Sequence, residues 1–326
     1  MFNLKFKEIF MEKENDLELR PSRLEDYIGQ EEIKNQLRVY IDSAKIRQKT
    51  IDHILFSGGP GLGKTTLAQA VANDFDSKIL IANAANMLKP KDIVSYLVNL
   101  EEGDFLFIDE IHRLKKELEE VLYTAMEDYR IDILIDKGTE VTPLSINLPK
   151  FTLIGATTMK GKISTPLIER FGIDQVLREY TVEELTIIIY RTASIYHTKI
   201  SEQAAMELAR RSRGTPRRAN KILRRIVDFA LVKGIEEVNL DFLINILDNE
   251  LLIDSFGLED KDRKVLTTLY YGFDNKPAGI KNLATSIGEN IDTLEYSIEP
   301  YLISQNLIVR TSRGRQITKK GILLIS

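Results

Sequence analysis

Ser57-Gly58-Gly59-Pro60-Gly61-Leu62-Gly63-Lys64-Thr65-Thr66-Leu67-Ala68 decides how the rest of the chain is read. Gly58, Gly63, Lys64 and Thr65 fit the phosphate-loop spacing G-x-x-x-x-G-K-[ST]. Glycines let backbone N–H groups turn inward around phosphate oxygens without Cβ clashes. The helix that follows offers its positive end to the anion. Lys64 is expected to reach the β- and γ-phosphates, the Thr65 hydroxyl to hold Mg²⁺, and Thr66 to face the α-phosphate. His53–Phe56 before the loop reads as an apolar strand and Leu67–Ala72 after it as a helix, the context this motif requires. The pattern predicts a nucleoside triphosphate site.

Composition sets the bounds. A chain of 326 residues predicts about two domains, or three small ones. Its 43% apolar and 29% charged residues suit a globular protein with a core. Without cysteine there is no disulfide or thiolate metal site, and His53, His112 and His197 are too scattered for a zinc centre. No apolar run approaches the ~20 residues that span a bilayer. The mixed charges of FKEIFMEKEN do not make a signal peptide, so a cytoplasmic protein without membrane contact is expected. The net charge of −4 hides two basic zones: Arg210–Arg225 holds eight basic residues and no acid, and Tyr301–Ser326 is also free of acids.

Outward from the loop, residues 1 to 17 read as a tail, and a helix begins near Glu31. His53–Phe56, Lys78–Ala82, Phe105–Ile108, Phe151–Ala156 and a fifth segment near Gln175–Leu177 are strands separated by helical patterns. They predict an α/β core with a parallel sheet. Phe105–Glu110 (FLFIDE) ends a buried strand with two acids, at the strand end where α/β ligands bind. Asp109 is assigned to the Mg²⁺ shell and Glu110 to the attacking water. Arg113–Asp128 is an amphipathic helix. Ile131–Leu148 is a β-hairpin insertion, read as a partner-docking element against the alternative of a decorative loop. Phe151–Thr158 (FTLIGATT) ends in two hydroxyls. Arg170 is either a surface residue or a finger for a neighbouring subunit's nucleotide.

From Val182 the strands are expected to stop. Four helical patterns predict a small domain that acts as a lid, with Pro216 at a helix start leaving Arg217 near a bound phosphate. Most of the basic residues around it are expected on a solvated face. After Ile253–Gly257, three helices and the hairpin Leu307–Arg310/Arg315–Thr318 predict a winged helix. Arg310, Arg313 and Arg315 are its phosphate contacts, on the ground that no acid dilutes the patch. The alternative is a protein-binding winged helix. The expected division is 1–180 for the ATPase domain, 181–252 for the lid and 253–326 for the winged helix.

DHILFSGGPGLGKTTLA, LFIDEIHRL, LYTAMEDYRIDILI, LPKFTLIGATT, RFGI, YTVEEL, RGTPRRAN and EPYLISQNLIVRTSRGR, in this order, closely resemble the RuvB family of AAA+ motors. The resemblance runs from about Leu19 to the C-terminus. It implies an ATP-hydrolysing homo-hexameric ring that threads duplex DNA and drives branch migration at four-way junctions in recombination and repair. It implies recruitment by RuvA through hairpin 131–148, with the resolvase RuvC as a further partner. Nucleotide contacts implied are Leu19, Arg20, Gly58, Gly61, Gly63, Lys64, Thr65, Thr66, Glu127, Asp128, Tyr129, Tyr180 and Arg217. Arg170 matches the finger acting in trans, Thr158 the first sensor, and Arg310 and Arg315 the wing contacts. Two departures stand out: Gly59 replaces the usual second residue of GPPG, and Ile291 occupies the place of an arginine in GEERDT. Other AAA+ readings lack their marks. No GAFTGA loop is present for a transcription activator, and Asn83–Asn86 holds no aromatic pore residue for an unfoldase.

Overall fold

Ahead of the phosphate loop, α1 (Glu31–Arg47) buries Leu37, Ile41 and Ala44 and begins with two glutamates at its electropositive end. β1 (Ile54–Ser57) is buried throughout, and α2 (Lys64–Asp74) starts directly from Gly63. β2 (Ile79–Asn83), α3 (Pro90–Leu97), β3 (Phe105–Asp109) and α4 (Lys116–Glu127) continue the alternation. The hairpin β4 (Arg130–Asp136) and β5 (Val141–Asn147) interrupts it. Then come β6 (Thr152–Thr157), the single turn α5 (Thr165–Ile168), β7 (Ile173–Val176) and α6 (Val182–Ile195). The computed structural model describes residues 19–136 and 141–325. The expected tail over residues 1 to 17 and the hairpin turn at Gly138 lie outside the described residues.

Five strands form one parallel sheet in the order β2-β3-β6-β1-β7. The central strands β3, β6 and β1 have no exposed residue, because helices cover both faces. β7, at an edge, alternates buried Ile173 and Gln175 with exposed Asp174 and Val176. Phe56, Phe105, Phe107 and Phe151 are fully buried; truncating one such side chain to alanine costs about 3–5 kcal/mol. The order matters for chemistry. β6, ending in Thr157, runs between the strand that feeds the phosphate loop and the strand that ends in Asp109.

The hairpin requires a correction. Ile131 and Leu148 belong to the main core, with Ile146 packed against it. Its base is therefore structural, and the docking reading does not hold for the whole of 131–148. Leu144, further out, is exposed. Side chains 133–143, where the apolar tip residues were expected, lie outside the described residues.

The described chain divides into two compact units, one reaching Ile195 and including Thr215–Arg217, the other holding Tyr196–Gly214 and Arg218 onward. In the second unit strands do not stop: β8 (Lys199–Ile200) pairs in parallel with β9 (Glu237–Val238), each too short to leave a periodic signal. α7 (Glu202–Arg211), α8 (Pro216–Lys233, within this unit from Arg218) and α9 (Leu240–Asn245) are the helices around them. Then α10 (Asp260–Thr267), α11 (Ile280–Ile287), α12 (Ile291–Thr293), α13 (Glu299–Ser304), the antiparallel wing β10 (Ile308–Thr311) and β11 (Gly314–Ile317), and α14 (Lys319–Leu323) form a winged helix. Its core contains Leu266, Leu283, Leu294, Leu302 and Ile308, and Ile291 packs partly buried against it.

Three of the eight basic residues in 210–225 depart from expectation. Arg211 is buried and donates to Glu207 (2.8 Å), Asp248 and the Ile253 carbonyl (2.8 Å). Arg213 donates to the Gly257 carbonyl (2.8 Å) and lies 4.1 Å over the Tyr301 ring. Arg218 donates to the same carbonyl (2.9 Å) and pairs with Glu259. These arginines bind the helices to residues 253–262, so this is an internal clasp more than a solvated face. The acids that answer them come from distant positions, which a local charge count does not see.

Candidate active site

The phosphate loop leaves the C-terminal end of β1 and folds over its own lysine. Lys64 Nζ donates to the carbonyls of Gly58 (2.9 Å) and Gly59 (2.8 Å). Burial lowers its pKa, Glu110 and Asp109 oppose that, and Arg217 adds to it. A buried cation held by neutral carbonyls is ready to exchange them for an anion. At Gly58 and Gly63 the loop leaves no room for a side chain. A Cβ on Gly58 (φ 142°) would stand 2.7 Å from the Leu177 carbonyl oxygen, and one on Gly63 (φ 96°) would collide with the Tyr27 hydroxyl. The residues present therefore fit a phosphate group. Thr65 and Thr66 are half-buried in the first turn of α2.

Two tyrosines brace the loop. The Tyr27 and Tyr180 hydroxyls are 3.0 Å apart and lie 3.3 and 3.2 Å from the Leu62 carbonyl. Burial raises both pKa values, so both remain neutral phenols. Thr215 and Arg217 cover Gly61: the Arg217 N–H donates to its carbonyl (3.4 Å), and a Cβ there would meet both side chains. Leu19 and Arg20 are half-buried. They enter a segment fixed to the far end of α2, where Asn73 donates to the Ser22 carbonyl (2.8 Å) and Asp74 accepts from the Leu24 N–H (3.1 Å).

Across the same sheet edge stand the acids. Glu110 has φ 51°, a left-handed conformation uncommon for a non-glycine residue. Its N–H donates to Asp109 Oδ1 (2.9 Å). Thr158 Oγ1 donates to Glu110 Oε2 (3.2 Å), and His112 Nδ1 lies 3.2 Å from that oxygen and 2.9 Å from Thr157 Oγ1. Burial lowers the His112 pKa, with Glu110 opposing. Lys64, Glu110 and Thr158 thus sit at the C-terminal ends of three adjacent strands, an arrangement that can hold a phosphate chain and orient a water beside it.

Four assigned residues are not there. His53, at the N-terminal end of β1, binds the Met126 carbonyl through Nε2 (3.1 Å) and accepts from the Leu153 N–H through Nδ1 (2.8 Å). Glu127, Asp128 and Tyr129 follow immediately, with the Tyr129 ring 6.5 Å from His53. Arg170 joins them, because Ile173 N–H donates to the His53 carbonyl (3.1 Å). Arg170 Nη2 pairs with Glu127 (3.0 Å), Nη1 donates to the Pro166 carbonyl (2.6 Å), and the guanidinium lies 4.4 Å over Tyr123. Its Nε is buried with no hydrogen-bond partner. From His53 to Gly58 a strand covers roughly 16 Å, beyond the reach of an arginine side chain. Arg170 is therefore placed toward the end of β1 opposite the phosphate loop.

The wing holds a further surprise. Arg310 and Arg315 face each other across β10 and β11, and both bind the buried carboxylate of Glu299. An acid does dilute the patch; it stands two residues before the stretch that was counted. Arg313 is exposed at the turn. Tyr27, His112 and Glu299 are the site residues that sequence reasoning missed. DEIH, with its histidine two residues after the glutamate, was a usable signal for one of them.

Profiles for three domains match successive parts of the chain. They are the Holliday junction DNA helicase RuvB P-loop domain over 19–177, the RuvB AAA lid domain over 180–252 and the RuvB C-terminal winged helix domain over 255–326. The Holliday junction branch migration complex subunit RuvB of Lactobacillus delbrueckii subsp. bulgaricus is 49% identical over 306 residues, 94% of this chain and 91% of that one. Its counterpart in Salinibacter ruber is 50% identical, covering 93% and 88%. The solved structure of the Thermotoga maritima RuvB Holliday junction branch migration motor superposes with a TM-score of 0.85 at 41% identity, covering 94% of this chain and 98% of that one. With all three domains matched in this order along it, this chain belongs to the RuvB family of P-loop ATPases.

Proposed function

We propose that the chain is an ATP-driven DNA translocase that moves four-way junctions, working as a homo-hexameric ring in the cytoplasm. The observation that carries this reading is the division of the site: phosphate loop, Glu110 and Thr158 at one edge of the sheet, Arg170 at the other. A catalytic site that needs both is complete only where two copies meet. Gly58, Gly61, Gly63, Lys64 and Thr66 hold the phosphates of ATP, and Arg217 leans over them from the start of α8. Leu19, Arg20 and Tyr180 line the same nucleotide. Thr65 and Asp109 would hold Mg²⁺, whose charge neutralises phosphate oxygens when it is bound. Glu110 takes a proton from the attacking water, and Thr158 fixes the carboxylate that does so. Arg170, steadied by Glu127 and stacked on Tyr123, is presented to the neighbouring copy with Asp128 and Tyr129 beside it.

In this reading 1–180 is the ATPase domain, 181–252 the lid and 253–326 the DNA-binding winged helix, with Arg310, Arg313 and Arg315 on phosphates. RuvA grips the outer part of hairpin 131–148, and RuvC joins at the junction. ATPase activity measured with a four-way junction, linear duplex and single strand, each with and without RuvA, tests it. The junction with RuvA should stimulate most. Equal rates with all three would overturn the motor reading.

A further inference from the structure

Two like charges directly opposite each other on a hairpin repel, so the Arg310–Arg315 pair needs an explanation. Glu299, at the start of α13, supplies it. Its side chain is fully buried, whereas 48% of Arg310 and 14% of Arg315 remain accessible. Arg310 donates to Oε2 through Nε (3.0 Å) and Nη2 (2.7 Å). Arg315 donates to Oε2 through Nη2 (3.2 Å) and to Oε1 through Nε. Each guanidinium thus spends the same edge on the carboxylate and keeps Nη1 out of that contact. Glu295, one turn earlier, is 3.7 Å from both Nη2 atoms and less buried.

We propose that Glu299 is a positioning residue for DNA binding by the wing. It pins both arginines by one edge so that their free Nη1 ends are held toward a phosphate strand. The claim rests on the reading that Arg310 and Arg315 contact DNA. Simple charge arithmetic makes the opposite prediction, because an acid beside a phosphate site should repel DNA, and its removal should tighten binding. A buried anchor wins if the lost geometry outweighs the lost repulsion. A guanidinium holds a planar, forked geometry that an exposed lysine cannot, and that benefit is realised only when its orientation is fixed.

The test uses the full chain and a fluorescein-labelled linear duplex, titrated by anisotropy between about 50 and 200 mM salt. Glu299→Gln should bind about three- to tenfold more weakly. In an Arg310→Ala/Arg315→Ala background the same substitution should change nothing further, which a general loosening of the domain would not reproduce. Glu295→Gln, which removes charge but not the anchor, should bind as well as the parent or better. If thermal melting shows that Glu299→Gln unfolds the winged helix, Glu299→Asp keeps the charge, moves the anchor by one methylene, and should still weaken binding. Unchanged or tighter binding by the folded variant would overturn the proposal. Full binding by Arg310→Ala/Arg315→Ala would overturn instead the DNA assignment on which it stands.

Discussion

The two edges of the parallel sheet are built from similar materials and do different work. At the C-terminal edge, Lys64, Asp109, Glu110 and Thr158 converge on a loop whose lysine, among the described residues, is bonded to the loop's own carbonyls. At the N-terminal edge, His53 binds the Met126 carbonyl with the Tyr129 ring beside it, and Arg170 is already paired with Glu127. The first edge presents a cation prepared for an anion. The second presents a cation held in place, with one buried donor unsatisfied, a state that costs about 1–3 kcal/mol. In the proposed mechanism these are the two halves of one site, completed where two copies meet. That is an argument for assembly drawn from one subunit.

The largest expected effect tests whether the halves are interdependent. Lys64→Ala should abolish turnover and weaken ATP binding. Arg170→Ala should bind ATP normally and lose about 10³–10⁵ in rate, the usual weight of an arginine finger. Mixed at ring-forming concentration, the two inactive proteins should recover part of the ATPase activity, because some interfaces then join an intact loop to an intact finger. A fully active Arg170→Ala would break the comparison outright. Glu110→Gln comes next: it should retain ATP binding and slow hydrolysis by about 10²–10⁴, the range for a general base. Turnover at the parental rate would remove Glu110 from that role.

How much of this was legible beforehand depends on the range of the signal. The phosphate loop, FLFIDE and GATT were readable because local spacing states their chemistry, and the parallel sheet followed from apolar strands alternating with helices. The partners of Arg170 were not readable. Its contact with Glu127 spans 43 residues and arises only because β1, β6 and β7 place their starts side by side. The charge count on the wing fell short for a related reason. Glu299 lies outside the basic segment by sequence and inside it by structure. Ile131 misled in the other direction, since strict alternation along a hairpin does not say which end is folded into the core.

That last point yields an intermediate effect, where the hairpin rises from the N-terminal edge. Ile131→Ala should cost about 2–5 kcal/mol of stability, as a fully buried aliphatic does. Leu144→Ala, at an exposed position, should change stability by less than about 0.5 kcal/mol. It should leave basal ATPase activity intact while weakening RuvA-dependent recruitment. Chemical denaturation of both variants separates base from surface, and equal losses would mean that the whole hairpin is structural.

The smallest effect concerns His53, the residue that holds the N-terminal edge together. Its pKa is lowered from the ordinary 6.5 by burial, against smaller opposing contributions from the Met126 carbonyl and Asp52. The folded state therefore takes up a proton less readily than the unfolded chain. Stability from this source is fully present above about pH 6.5 and is lost as pH falls below it toward the lower folded value, by at most about 1.4 kcal/mol per pH unit. The cause is geometric. Nδ1 accepts from the Leu153 N–H, and protonation would turn that acceptor into a donor facing a donor. His112 is shifted in the same direction and will add its own acid sensitivity, so the informative quantity is a difference. Glutamine at position 53 can offer both an acceptor and a donor without titrating. The melting temperature of His53→Gln should accordingly fall less than that of the parent between about pH 7 and 5, by a few degrees for each kcal/mol removed. Parallel melting curves would mean that the ring is not anchored through Nδ1, and that the two edges are held apart by the strands alone.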